Sequence, residues 1–151
     1  MELGQEEIAS RMRSLETGLR RAGVKLTHQR LEICREIAAS ESHPDAETVF
    51  QGVRTRVPTI SLDTVYRTLW TLLDLGLIGT LGFPRERMRF DGNIAPHHHF
   101  MCVKCGEAYD FTSEEFDRLE VPEEVRALGS VEKTQVEVRG VCAKCGARVK
   151  A

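Results

Sequence analysis

Cysteines stand in two matching units, Cys102-Val103-Lys104-Cys105-Gly106 and Cys142-Ala143-Lys144-Cys145-Gly146, with 36 residues between them. A glycine after each pair suits a tight turn at positive φ. Two such turns, brought together by strands, present four thiolates at tetrahedral corners. Zinc favours that arrangement, and four sulfurs leave no open position, so the expected role of Zn2+ is structural. Disulfides or a redox thiol pair are the competing reading. They fit poorly with the compartment the sequence suggests. The start, MELGQEEIAS, has neither the basic opening nor the apolar core of a signal peptide. No apolar run approaches the ~18 residues of a membrane span. A cytoplasmic, reducing location is therefore expected, with no membrane partner. The fifth cysteine, Cys34, falls in an apolar helical run and reads as a buried small hydrophobe.

With the sulfurs assigned, the histidines are available for other chemistry. There are five: His28, His43, His97, His98 and His99. In a strand, His97 and His99 point to one face and His98 to the other. Asp91 lies upstream, and Asp110 lies beyond the turn, where the next strand would return. Two imidazoles and a carboxylate make a nitrogen–oxygen site for iron, manganese, zinc, nickel or copper. The three-histidine run alone leaves two readings open, a metal site and a set of surface histidines.

The N-terminal part is helical by pattern. Ile8, Met12, Leu15 and Leu19 recur at helical spacing over residues 6–22, and Gly23 stops that run. Thr27 is placed to cap a second helix over 28–39. A third runs from near Pro44 to about residue 55. A fourth begins at Ser61, with Leu62, Val65, Leu69, Leu72 and Leu73 as its apolar stripe, and ends at Gly76. Asp63, Thr64, Tyr66, Arg67 and Thr68 fall largely on its outer face. Two strand-like runs, LIGTLG and RMRFD, flank FPRER. Helices followed by a hairpin predict a winged helix-turn-helix, whose recognition helix reaches base edges in the major groove. The competing reading is an ordinary helical bundle with an exposed hairpin.

Charge is unevenly spread. Residues 11–35 hold 7 basic and 2 acidic side chains, whereas residues 91–151 hold 8 and 11. The first patch suits phosphates. Beyond Pro96, HHFMCV and EAYDF predict two strands joined across KCG, residues 113–129 a helix broken at Pro122, and VEKTQVEVRG a further strand. The fold class expected is α+β, with an N-terminal winged helix-turn-helix over residues 1–90 and a small C-terminal α/β domain over 91–151. So small a domain needs a metal or a partner subunit to stabilise it.

The ordered series GVKLTHQR, SHPDAETVF, ISLDTVYRTLWTLLDLGLI, RFD, HHHFMCVKCG, YDF and VCAKCG resembles the ferric uptake regulator (Fur) family over about residues 20 to 147. The resemblance implies a homodimeric, metal-dependent repressor of double-stranded operator DNA rather than an enzyme, with the C-terminal domain as the dimerisation domain. Carried over by position, it assigns Cys102, Cys105, Cys142 and Cys145 to structural zinc. It assigns His43, Asp91, His97, His99 and Asp110 to an exchangeable regulatory Fe2+ or Mn2+. A metal held by all five would lock the two domains and set the spacing of paired recognition helices. Tyr66 and Arg67 are the expected base contacts; Thr64, Lys25 and Arg21 are the expected phosphate contacts.

Two carboxylates decide the branch. Iron-sensing members usually carry glutamate at the positions of Asp91 and Asp110, and the peroxide-sensing, PerR-like branch carries aspartate. The resemblance thus implies peroxide sensing, with His43 or His97 oxidised to 2-oxo-histidine. An iron- or zinc-responsive repressor of metal uptake is the alternative. Pro96 and KTQVEV lack the histidines of a further site found in many members, so no third metal is expected. His98 is then left over as a surface residue, and His28, where many members have proline, as a capping-region or surface residue. Two readings from other classes are a metal-dependent hydrolase, for which no carboxylate stands out as a general base, and a zinc-stapled interaction module.

Overall fold

The computed structural model describes residues 3–81 and 88–149. These form two compact units, one ending at Ile94 and the other beginning at Ala95. Sequence alone divides the chain after residue 90. In the structure Asp91 is still paired with Gly79 and belongs to the first unit.

The first unit is built on α1 (Gln5–Arg21), α2 (His28–Ala39), α3 (Ala46–Arg54) and α4 (Leu62–Asp74), followed by the hairpin strands β1 (Gly79–Leu81) and β2 (Arg89–Asp91). Three of the helix starts are capped by side chains. Thr27 accepts from the Arg30 N–H, Asp45 from that of Thr48 and Ser61 from that of Thr64. Each cap satisfies an N–H that the first helical turn leaves without a partner. Gly23 and Gly76 follow α1 and α4 at φ +73° and +69°, as helix-ending glycines do. The segment FPRER lies outside the described residues.

Helical spacing accounts for the core. Leu15 and Leu19 of α1, Ile33 and Ile37 of α2, Val49 and Val53 of α3, and Val65, Leu69 and Leu72 of α4 pack together, with Ile78 and Phe90 from the hairpin region. Each such side chain contributes about 1.5–3 kcal/mol by leaving water. Cys34 is fully buried among them, as expected, and burial pushes its thiol up to about 11. One polar link ties the packing together. Arg56 hydrogen-bonds Glu32 of α2 and reaches Glu36 with its Nη2 at 2.8 Å. The Glu32 carboxyl is held below its ordinary range chiefly by that Arg56 hydrogen bond.

The second unit contains β3 (His98–Cys102), β4 (Ala108–Phe111), the short helices α5 (Glu114–Asp117) and α6 (Glu123–Arg126), β5 (Glu137–Gly140) and α7 (Ala143–Val149). β3 is central, antiparallel to β4 and parallel to β5. The expected strand over residues 131–140 is shorter than its alternation suggests, because β3 offers only five residues to pair with. Pro122 does break the helical stretch, as expected, and precedes α6. Among the described residues, this unit buries few ordinary apolar side chains. Its interior cluster is Cys102, Cys142 and Cys145 with Phe100 against them. An interior made of thiols has little hydrophobic stabilisation of its own and depends on what the thiols bind.

Candidate metal centres

The four cysteines converge. β3 delivers Cys102, the turn after it delivers Cys105, and Cys142 and Cys145 sit at the start of α7. All four sulfurs lie within 4.8 Å of one another, and Cys105 Sγ is 3.9 Å from Cys142 Sγ. Backbone N–H groups point at the sulfurs. Those of Cys105 and Cys142 favour the Cys102 thiolate and pull it down to about 6; the Cys142 N–H lies 3.3 Å from the sulfur. The Cys145 N–H does the same for Cys142 at 3.5 Å. Cys145 is pushed up to about 12 by its hydrogen bond to Cys142. Four thiols at this spacing, some favoured as thiolates and most of them buried, fit a tetrahedral Zn2+. The two turns are not alike, however. Gly106 has φ +75°, as expected, but Gly146 lies inside α7 and donates to the Cys142 carbonyl at 2.8 Å. The second pair is positioned by a helix start and needs no left-handed glycine.

The imidazoles form a separate cluster in the same unit. Strand alternation places His97 and His99 on one face, with Nε2 atoms 3.2 Å apart and rings edge to face. Asp110 is the β4 partner of His99, and its Oδ1 lies 3.2 Å from His99 Nε2 and 3.9 Å from His97 Nε2. His97 Nδ1 lies 2.7 Å from the Ala95 carbonyl. A carbonyl only accepts, so Nδ1 carries the proton and Nε2 presents its lone pair to the cluster, an orientation typical of metal-ligating histidine. Two imidazole nitrogens and a carboxylate facing one point fit a cation there. In the first unit, His43 and Asp91 are both buried, with Nε2 and Oδ2 3.7 Å apart. Asp91 Oδ1 accepts the Asn93 N–H at 2.9 Å, which fixes the carboxylate.

His98 corrects the sequence expectation. Far from the surface, it is 2% exposed. Its Nδ1 accepts the Val136 N–H at 3.1 Å, its Nε2–H donates to Asp117 Oδ1 at 2.9 Å, and its ring packs against Phe111 and Phe116. It staples β3 to α5 and to the segment entering β5.

The expected DNA contacts are distributed unequally. Tyr66 and Arg67 are exposed on α4, and Arg67 Nε pairs with Asp63 at 2.9 Å. Thr64 and Arg67 share a polar groove with Thr27, Gln29 and Arg30 at the start of α2, two residues beyond Lys25. Arg30 belongs to the basic patch of residues 11–35, whereas Gln29 escaped the sequence reading, although its place in the first turn of a capped helix could have marked it. Arg21 lies in a different groove, beside Ser14, Thr17 and Leu77. Thr68, expected on the outer face, is buried, and its hydroxyl is satisfied by the Thr64 carbonyl at 2.9 Å.

Comparison with known proteins places this geometry. The sequence model of the Ferric uptake regulator family matches residues 21–139. The Peroxide-responsive repressor PerR of Staphylococcus epidermidis is 35% identical over 127 residues, 84% of this chain and 85% of that protein. The solved structure of a zinc-bound manganese uptake regulator superposes with a TM-score of 0.65 at 31% identity, over 85% of this chain and 98% of the other. That of the Helicobacter pylori ferric uptake regulator gives a TM-score of 0.71 over 97% of each chain; at 20% identity it speaks for the fold alone.

Proposed function

The chain belongs to the ferric uptake regulator family, and from that premise we propose that it is a metal-dependent, homodimeric repressor of operator DNA that is released by hydrogen peroxide. The observation that carries this reading is the segregation of donors. Four sulfurs form one cluster, and nitrogen and oxygen donors form others, so a permanent ion and an exchangeable one are held by different chemistry. Cys102, Cys105, Cys142 and Cys145 would hold Zn2+. His97, His99 and Asp110 offer three donors and His43 with Asp91 two more; neither set alone completes a transition-metal shell. We assign all five to one regulatory Fe2+ or Mn2+. Ligation drawn from both units makes DNA affinity depend on metal, because it selects the arrangement in which paired recognition helices meet successive half-sites. Tyr66 and Arg67 would read bases, with Thr64, Lys25 and Arg21 on phosphates.

Aspartate at both 91 and 110, with a peroxide-responsive relative at 35% identity, supports the peroxide reading. Ferrous iron, when bound, would open the O–O bond of peroxide by passing an electron that Mn2+ withholds, while the two electrons consumed overall come from the imidazole. The protein's own part is to present an imidazole carbon as the oxygen acceptor. Histidine and hydrogen peroxide give 2-oxo-histidine and water, and a ligand so altered no longer binds as before. The test loads the zinc-bound protein with Fe2+ or Mn2+, adds equimolar peroxide, and follows peptide mass and binding to an operator selected from random duplexes. One added oxygen on the His43 or His97 peptide, with loss of DNA binding in the iron form only, is expected. Intact peptides and unchanged DNA binding would instead favour an iron- or zinc-responsive repressor of metal uptake.

A further inference from the structure

We propose that Arg89 is the positioning residue for the His43 ligand, which it holds in an otherwise disfavoured backbone conformation; the inference rests on the regulatory-metal reading above. Among the described residues, His43 is the one non-glycine residue with positive φ, at +52°. The left-handed region crowds Cβ against the backbone and persists in such a residue only where its surroundings enforce it. Here the enforcing group is a guanidinium. Arg89 donates from Nε to the His43 carbonyl at 2.9 Å and from Nη2 to the Ser42 carbonyl at 2.8 Å. Those two carbonyls belong to the peptide planes on either side of the His43 Cα. Fixing both planes fixes φ and ψ of His43, and so the direction in which its imidazole leaves the chain.

The clamp is itself anchored. Arg89 pairs with Asp45 across an antiparallel bridge, and the Phe90 N–H donates to the Pro44 carbonyl at 2.9 Å. Two residues along the same strand, and therefore on the same face, stands Asp91. β2 thus carries one buried ligand directly and sets the other through the clamp, which makes the His43–Asp91 pair pre-organised before any ion arrives. Lysine cannot replace the fork, since an ammonium lacks its fixed planar spread.

Mn2+ is the probe, titrated calorimetrically into the zinc-loaded full chain. Arg89→Lys should weaken Mn2+ binding about 10- to 100-fold, as loss of a group orienting a metal ligand does. Zinc content should stay at the parent value, the Trp70 signal should show the first unit folded at the titration temperature, and operator binding should recover at saturating Mn2+. Arg89→Gln, which can still donate to one carbonyl, should fall between parent and Lys variant, and it serves if the Lys variant folds poorly. In His43→Ala protein, adding Arg89→Lys should change the affinity no further. Parent-like affinity in both Arg89 variants, or an equal loss in the His43→Ala background, would overturn the positioning role. Parent-like Mn2+ binding by His43→Ala alone would sink the metal assignment, and the role of Arg89 with it.

Discussion

Replacing His98 by alanine should cripple the second unit and leave the first untouched. The substitution strips the Val136 N–H of its acceptor and Asp117 of its donor. Both bonds are only partly buried, and each such hydrogen bond contributes about 0.5–1.5 kcal/mol. The ring also leaves the faces of Phe111 and Phe116, at centroid distances of 5.6 and 5.5 Å, and such contacts contribute about 0.5–1.5 kcal/mol each. A total of about 3 kcal/mol is large against a unit spanning residues 95–151, where about 0.05–0.15 kcal/mol per residue gives about 3–9 kcal/mol. At about 4–8 °C per kcal/mol, the melting temperature should drop by at least about 10 °C. Temperature-resolved amide exchange of the peptide covering β3 and β4 measures it in zinc-loaded protein. The single tryptophan, Trp70, lies in the first unit, so its fluorescence transition is the internal control. A shift below about 2 °C in that peptide would refute the reasoning and return His98 to the surface role its sequence suggests.

Two further outcomes follow from the geometry. Glu32 has a depressed carboxyl in the fold, so its link to Arg56 stabilises the first unit above the usual carboxylate value, near 4.5, and that contribution is lost as pH falls through the lower folded value. Glu32→Gln should therefore lower the urea midpoint of the Trp70 signal at pH 7 and flatten its decline below pH 4.5. A serine at 102, 105, 142 or 145 should abolish stoichiometric zinc and ordered β3–β5 pairing, while Cys34→Ser should keep the zinc; metal analysis with circular dichroism distinguishes the two groups.

What was legible in the sequence was whatever nearby residues decide. Thr27 and Ser61 marked their helix starts because a cap reaches only three residues ahead. The pairs Cys102/Cys105 and Cys142/Cys145 pointed to one cluster because their spacing repeats. His98 was misplaced because its burial depends on partners 19 and 38 residues away, which no local pattern announces. Thr68 misled because its hydroxyl is satisfied within its own helix, so polarity did not mean exposure. Gly146 looked like Gly106, yet the chain after Cys142 coils rather than turns. Arg89 was invisible as a clamp because its two acceptors lie 46 and 47 residues upstream.

The position of β3 between β4 and β5 has a consequence for what the sulfur cluster holds in place. This central strand carries Cys102 opposite Gly140 and His99 opposite Glu137 in the same parallel ladder with β5. A slip of one residue would turn every side chain of a strand to the other face. The sulfur cluster, at one end of that ladder, forbids the slip, because Cys142 follows Gly140 by two residues and must reach Cys102. Whatever ion the sulfurs take therefore also sets the register of β5 against the strand that carries His99. Removing that ion should therefore loosen the β3–β5 ladder, while the pairing of His99 with Asp110 rests on β4.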